Sequence, residues 1–554
     1  MSMTNTAPIP MTAPVTVSGP PSAPPAAVTQ PVTQPVTPPV APTPGTESPD
    51  LALARAQTAA QAKRLHEASG ICNDVLAAHP DHPPALALLG IVSAMGGDPD
   101  RGVALLQRAV QLRPGNATWY AHLSSLCRST YRMDEALLAG QESIRLDPNN
   151  AEHLVNLSLV FTDVDDRERA TACLLRALGL KHEHADGHLA LAQNLLATGD
   201  FEPGWMEYEW RNLTEAGKAT MPAMTSAPWN GMRIPQGRLL LVGDQGYGDT
   251  IQFARFIGMA AERVQEVVLG CSVEMEPLLR DLPGVTQYCH RWNDVPGHAA
   301  HCRLSSLPYL FGIREATIPT KVPYLKADPA RVSAWRDRLG ALLPAGVTRV
   351  GLAWTGRPTH PNDRRRSMAL SRMLPLADAG PLAFVSLQKP MPDADKPALA
   401  RFPGMVDLSA DLTDFGETAA VMENLDLIVT VDTAMGHLAG ALGRPVWIMI
   451  PKAADWRWML NRDDSPWYPT ARLFRQRTPG AWDDVIAALR AALTAEASRI
   501  ATNPTAAGPT AASPTAASRT VAGRTAASRI TASRITASQI TASPTAAVPG
   551  ASGT

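Results

Sequence analysis

A turn signal that returns every 34 residues constrains this chain more than any other feature. His-Pro-Asp-His at 79–82, Arg-Pro-Gly-Asn at 113–116, Asp-Pro-Asn-Asn at 147–150 and Lys-His-Glu-His at 181–184 each lie 34 residues after the last. Two helical stretches fit between successive turns. Small residues recur where paired helices would approach closely: Gly90, Ala109, Ala136, Ala170, Ala177, Ala192 and Gly204. Larger apolar residues recur with them, among them Leu86, Leu89, Leu106, Tyr120, Leu123, Leu154, Leu157, Phe161 and Leu174. A unit this short cannot bury its own apolar face, so it is stable only when stacked on its neighbours. About five units fit within 49–218, the first and last departing from the pattern as capping units do. An ordinary helical bundle does not explain three successive intervals of one length.

A 34-residue helix-pair period is the tetratricopeptide pattern. Stacked pairs make an elongated concave surface whose usual use is holding a peptide or protein. Self-association through that surface, giving a homo-oligomer, is the rival use, and no residue separates the two. The array is preceded by a tail, 1–48, with 13 prolines, the single charge of Glu47 and no aromatic residue. Such a segment cannot bury enough apolar surface to offset the entropy of ordering, and disorder or polyproline geometry is expected. The segment 499–554 is Thr/Ala/Ser-rich, with RITAS at 529–533 and 534–538, and reads as a second low-complexity tail.

Length and charge narrow the class further. At 554 residues the chain exceeds a single core, which stops growing at roughly 250–300 residues. With 50 Lys+Arg against 51 Asp+Glu, it lacks the basic footprint of a dedicated nucleic-acid binder. The six cysteines are scattered with no CxxC, which suggests neither a disulfide framework nor a zinc site and suits a reducing compartment. The N-terminus lacks the pattern of a secretion signal, and the longest apolar runs, such as Pro445 to Pro451, are too short to span a bilayer. A cytoplasmic location with no membrane span follows as the expectation.

From about 236 the periodicity changes. Apolar runs at 238–243 and 266–270, then at 349–354, 383–387, 405–408, 425–431 and 445–450, alternate with helical stretches. Runs apolar on both faces and joined by helices imply parallel sheets in a doubly wound α/β fold. Two blocks, 236–345 and 346–498, predict two Rossmann-like halves with a cleft at the C-terminal ends of their strands.

Three stretches carry candidate chemistry. In Leu-Leu-Val-Gly-Asp-Gln-Gly-Tyr-Gly-Asp-Thr (240–250), Gly243, Gly246 and Gly248 let backbone approach a ligand between strand and helix. Asp249 is placed either as a general base in the cleft or as the cap of a helix starting at Thr250; position alone favours the cap. In the second stretch, Val-Gly-Leu-Ala-Trp-Thr-Gly (350–356) runs into a loop with four arginines that ends at Ser367. Guanidinium forks match phosphate oxygens, which singles out Arg364 and Arg366 beside Thr355, against the plain reading of a solvated loop. In the third, a strand ends at Asp432, and Thr433 to Gly436 begin a helix whose amides favour an anion. Asp432 as a cap and His437 as a structural histidine are the plain readings there.

GDQGYGDTIQFARF (243–256), VGLAWTG (350–356), NDRRRS (362–367), VDTAMGHLAGALGRPVW (431–447) and DWRWML with SPWYP (455–469) together resemble bacterial tetratricopeptide–glycosyltransferase fusions. Their catalytic half is similar to the family 9 heptosyltransferases, and the resemblance covers nearly all of 49–498. It implies a GT-B fold, with a nucleotide-sugar donor on the C-terminal half and the acceptor on the N-terminal half. It implies Asp249 as general base and Asp432, Thr433, Gly436 and His437 around the donor diphosphate and sugar. Thr355, Arg364 and Arg366 would form the phosphate side and Gln388 and Lys389 the nucleoside edge; Trp456 and Trp458 would either wall the site or pack in the interior, the commoner fate of tryptophans. The implied reaction is inverting and needs neither metal nor cofactor; Asp393-Ala-Asp395 matches a metal-binding DxD pattern but sits at a Pro- and Lys-flanked helix start.

Two departures bear on substrates. Ala434 stands where heptosyltransferases usually carry glycine, and the N-terminal half is short. Replacement of the missing acceptor elements by the repeats would make the acceptor a protein, as in the O-GlcNAc transferases and the repeat-bearing flagellin glycosyltransferases. The expectation is transfer to flagellin or another surface protein. The alternatives are a lipopolysaccharide or other glycan acceptor, and a repeat scaffold with an inactive GT-B half.

Overall fold

The computed structural model describes residues 47–502 except Ala223, Gln245 and Pro361. The expected tails, apart from their inner ends, lie outside the described residues.

Ten helices occupy the repeat region as five consecutive pairs: α1 (Pro49–Gln61) with α2 (Leu65–Ala78), α3 (Pro83–Met95) with α4 (Pro99–Leu112), α5 (Ala117–Ser129) with α6 (Met133–Leu146), α7 (Ala151–Asp163) with α8 (Arg167–Leu180), and α9 (Ala185–Thr198) with α10 (Phe201–Tyr208). The last residue of each turn signal caps the helix that follows. His82 Nδ1 accepts from the Ala85 amide at 3.3 Å, Asn116 from Trp119 at 3.1 Å, Asn150 from His153 at 3.2 Å and His184 from Gly187 at 3.1 Å. A helix start leaves several amides without acceptors, and a side chain that satisfies one fixes where the helix begins. The period is therefore a period of caps. Within the second pair the helices cross at glycines: a Cβ on Gly102 would lie 2.7 Å from the Gly90 carbonyl oxygen.

The chain forms two compact units, divided between Val160 and Phe161 inside α7. The described part of the first holds α1–α6 and most of α7, over a core that includes Leu86, Leu106, Ala109, Leu123, Cys127 and Val160. The second holds the remaining repeat helices and the α/β region. There the last pair packs against the α/β region. Trp205 is buried against Trp456 and Trp467, with ring centroids 5.2 and 6.4 Å away, and its indole N–H donates to the Ile313 carbonyl at 2.8 Å. Arg211 Nε donates to Ser305 at 3.0 Å.

The α/β region contains two parallel sheets. The first comprises β1 (Ala227–Pro228), β2 (Ile234–Val242), β3 (Val264–Gly270), β4 (Val285–Cys289) and β5 (Ala300–Arg303), in the order β1-β5-β2-β3-β4. The second comprises β6 (Thr348–Ala353), β7 (Leu382–Ser386), β8 (Val406–Asp407), β9 (Leu427–Val431), β10 (Val446–Ile450) and β11 (Ala471–Arg475), in the order β11-β10-β9-β6-β7-β8. Leu241 of β2 pairs with Leu269 of β3 and Cys302 of β5. Leu239, Leu240 and Leu241 are all fully buried, as strands covered on both faces must be. The chain thus joins helical repeats to a doubly wound α/β region.

The helix Pro329–Leu342 moves the boundary between the halves. Residue position assigns it to the first block, ending at 345, but its side chains hold the second: Arg331 pairs with Asp414 at 2.9 Å, Trp335 donates to Glu417 at 2.6 Å and Arg338 pairs with Asp411 at 2.7 Å. The last described helix, Asp483–Thr502, likewise runs past the expected limit at 498. Among the described residues, no helix is long and apolar enough to cross a membrane.

Packing in the second half leaves little room. A Cβ on Gly440 would lie 2.3 Å from Tyr468 Cδ1. Gly440→Ala is expected to cost about 1–3 kcal/mol by overpacking, read as a Tm a few degrees below the parent's.

Candidate active site

Two helix starts meet where the halves face each other. In the first half β2 ends at Val242 and, after the glycine loop, the helix Tyr247–Ala254 begins. In the second half β9 ends at Val431, followed by Asp432, Thr433 and the helix Ala434–Ala441. Gly248 makes the approach possible, since a Cβ there would lie 2.7 Å from His437 Cδ2 and 3.6 Å from Ala434 Cα. Gly243 instead packs inside its own half, its amide donating to the Gly270 carbonyl at 2.7 Å. Gly246 caps the helix, and a Cβ on it would strike the Asp249 carboxylate at 2.4 Å.

Asp249 is not the helix cap. The helix starts at Tyr247, earlier than expected, which makes Asp249 its third residue and turns its carboxylate toward the second half. There it pairs with Arg457 Nη2. Arg457 also donates to Asp455 at 2.8 Å and to Gln252 at 2.6 Å, and its guanidinium lies 4.3 Å from the Trp456 ring centroid. Burial raises the Asp249 pKa above the ordinary carboxylate range; Arg457 offsets part of that rise, and Asp244 and Asp455 add to it. The Asp249 side chain still keeps 34% of its surface open, against 9% for Arg457, so a ligand can reach the carboxylate but not readily its cation.

Asp432 is buried and its pKa is raised, by burial first and then by Asp455, with Arg366 acting in the opposite sense. Asp455 responds differently. Burial alone would raise it, but the charge and hydrogen bonds of Arg457 hold it below the usual range. Thr433 caps its helix with Oγ1 accepting from Met435 at 3.4 Å, while the Gly436 amide donates to the Thr433 carbonyl at 3.0 Å. Two of the amides expected to face an anion are therefore engaged locally. Gly436 is there for packing, since a Cβ would lie 3.1 Å from Ile448 Cδ1 on β10.

His437 also differs from its expected role. Its ring packs on Trp458 with centroids 5.3 Å apart, and its Nδ1 shares a 2.8 Å hydrogen bond with Tyr468. Burial, reinforced by Arg457, pushes its pKa down to about 3, so the neutral ring brings no positive charge to a phosphate. Trp456 and Trp458 are buried packing residues rather than an open wall.

The end of β6 supplies the third side. Arg366 lies over Gly356, where a Cβ would come within 2.8 Å of its Nη2, and its buried Nε has no hydrogen-bond acceptor among the described residues. Its nearest carboxylate, Asp363, is 3.8 Å away. Arg364 is exposed on the short helix Asp363–Arg366, and Arg365 turns instead to Asp163. The Thr355 amide donates to Gln388 Oε1 at 3.0 Å, as the Trp354 amide does at 3.1 Å. Gln388 is thus consumed in holding the strand end and does not present its amide as a nucleoside edge. Lys389 is exposed and donates to the Leu412 carbonyl. Asp395 accepts from the Trp354 indole at 2.7 Å and from the Leu370 amide at 3.0 Å, while Asp393 pairs with Lys396 at 2.6 Å, so these two carboxylates serve the fold.

A small pocket of about 20 Å³ opens at the C-terminal ends of β2, β3 and β5 on the first half. Asp244, Tyr247, Thr250, Ser272 and Arg303 line it with Trp292. Among the described residues, Arg303 Nε is buried without a hydrogen-bond partner, an arrangement that suits a polar ligand. Arg255 ties this half to the other, donating to the Trp467 carbonyl at 2.9 Å.

Residues 400–448, which include β9, Asp432 and the helix after it, match the glycosyltransferase family 9 (heptosyltransferase) profile. Over 513 residues the chain is 27% identical to Protein FlbA of Caulobacter vibrioides, spanning 80% of this chain and 83% of that one. Among solved structures it is similar to MamA (19% identity, 30% of this chain and 97% of that one, TM-score 0.27). It is also similar to a thermophilic TPR protein of Thermus thermophilus (20% identity, 30% and 92%, TM-score 0.28). The repeat assignment itself rests on the 34-residue spacing and the helix pairs. The chain is a fusion of tetratricopeptide-type repeats to a glycosyltransferase-like α/β region similar to glycosyltransferase family 9.

Proposed function

We propose that the protein transfers a sugar from a nucleoside-diphosphate sugar to a hydroxyl of a protein, with inversion and without a metal ion. The observation that carries this reading is Asp249, a partly open carboxylate at the seam of the two halves, with Arg457 behind it and Arg366 across the cleft. The acceptor hydroxyl gives its proton to Asp249 as its oxygen bonds to C1 of the sugar. The bond from C1 to the diphosphate breaks on the opposite face, and the nucleoside diphosphate leaves. Burial of Asp249 strengthens it as a proton acceptor, which is the direction a general base needs.

Arg366 is the residue we assign to the leaving diphosphate, because its buried Nε–H lacks an acceptor among the described residues and a phosphate oxygen would supply one. Asp432 and the start of the helix behind it would face the sugar. The pocket lined by Asp244, Ser272 and Arg303 lies on the acceptor half and is where we place the residue that is modified. The repeats would hold the rest of the acceptor protein.

Arg366→Gln should weaken binding of the preferred nucleoside diphosphate, chosen from UDP, GDP and ADP, by about 10- to 100-fold, the range for a hydrogen bond to a charged group. Titration calorimetry reads this without an acceptor. Equal affinity in parent and variant would remove Arg366 from the donor site.

A further inference from the structure

The repeat region reaches the donor side of the cleft through the turn between α7 and α8. Asp163, the last residue of α7, has only 4% of its side chain exposed and pairs with Arg365 Nη1 at 2.5 Å. Two residues on, Asp165 pairs with Lys452 at 3.3 Å, just beyond the end of β10. Lys452 follows β10 directly, and Arg365 lies in the segment that joins β6 to β7. Arg365 belongs to the same single helical turn, Asp363–Arg366, that aims Arg366 over Gly356. The inner side of that turn is pinned to the segment that follows β6: Ser367 Oγ accepts from the Gly356 amide at 2.8 Å and donates to Asp363 at 2.7 Å. Its outer side is pinned by Asp163. A four-residue helix has little stability of its own, so these two anchors fix where Arg366 points.

From this geometry we infer that Asp163, with Asp165, is a positioning residue for the donor site: the turn of the fourth repeat holds the arginine loop in its phosphate-binding arrangement. The inference rests on the donor reading given under Proposed function and extends it, because it makes the repeats part of the donor site as well as the acceptor's holder. A repeat region acting only as a handle for the acceptor would leave nucleotide affinity unchanged when Asp163 is altered.

The test uses the full-length chain and whichever of UDP, GDP and ADP the parent binds most tightly. Asp163→Asn is expected to weaken that nucleotide by about 5- to 20-fold, within the usual span of coupling between sites, while affinity for the corresponding nucleoside changes little. Hydrogen exchange should quicken in 356–367 and stay at the parent's rate in 247–254. Should Asp163→Asn fail to fold, Lys452→Gln removes the more exposed contact of the same turn and should weaken the nucleotide in the same direction, by about 2- to 5-fold. A folded variant with the parent's nucleotide affinity and the parent's exchange in 356–367 overturns the inference and leaves the donor reading standing. A parent that binds none of the three nucleotides overturns both.

Discussion

Asp249→Asn is expected to lower transfer by about 10²- to 10⁴-fold, the usual contribution of a general base, while nucleotide affinity stays near the parent's. The amide keeps the shape of the carboxylate but cannot accept the proton of the attacking hydroxyl. The pH dependence follows from the raised pKa of Asp249. Only the ionised carboxylate acts as base, so kcat/KM should rise with pH through a midpoint above the ordinary carboxylate range and level off once Asp249 is deprotonated. In Asp249→Asn that acid limb should vanish from the residual rate. A variant with parental turnover, or with the limb intact, would take the base assignment away from Asp249.

Arg457→Met should be the most damaging change to stability, by about 3–5 kcal/mol, the range for removing one partner of a buried ion pair. The side chain is 9% exposed and serves two carboxylates, Asp249 and Asp455, while packing on Trp456. Without the cation, both carboxyl pKa values rise in the folded state above their unfolded values. A carboxyl raised in this way contributes stability below its unfolded pKa and loses it as pH climbs toward the folded one. The deficit relative to the parent should therefore be largest near neutral pH and shrink in mild acid. Urea unfolding followed by tryptophan fluorescence at both pH values reads the difference, and a deficit that grows in acid would contradict the ion-pair account. The same variant should shift the acid limb of any remaining activity upward, because Asp249 loses the charge that keeps it ionised.

What the residues reveal in advance depends on how local the physics is. The repeat period is legible because it is carried by His82, Asn116, Asn150 and His184, each satisfying an amide three residues away. The buried strands β2, β6, β9 and β10 are legible because both their faces are covered, so the apolar run is continuous. Strands β4 and β5 are short, and β4 carries exposed Thr286 and Gln287, which breaks that signal. The helix Pro329–Leu342 has a readable start, with Asp328 accepting from Ala330 at 2.7 Å ahead of Pro329 at the first helical position. Its allegiance to the second half is not readable, because that is set by pairings with Asp411, Asp414 and Glu417 far along the chain.

The site divides in the same way. Asp249, Asp432 and Arg366 stand at element ends, where a cleft between two parallel sheets must form. Arg457 lies 208 residues from Asp249 and binds it only after both halves fold. The one local sign is an arginine between two tryptophans after an aspartate. Gln388 and His437 mislead for a shared reason. A polar residue at a strand end can serve a ligand or the backbone, and here one amide satisfies two strand-end N–H groups and one imidazole fills a seam between aromatic rings.

The central claim, that this cleft consumes a nucleotide sugar with Asp249 as the base, is tested most directly by mass spectrometry of donor turnover. Parent and Asp249→Asn would each be incubated with UDP-, GDP- and ADP-sugars in the presence of extract from the source cells as acceptor, with bound donor measured in the same samples. The account predicts that one nucleoside diphosphate accumulates with the parent, that its release falls by at least about 10²-fold in Asp249→Asn, and that both proteins bind the donor. Release that is equal in the two proteins, or a parent that neither binds nor consumes any of the donors, would contradict it.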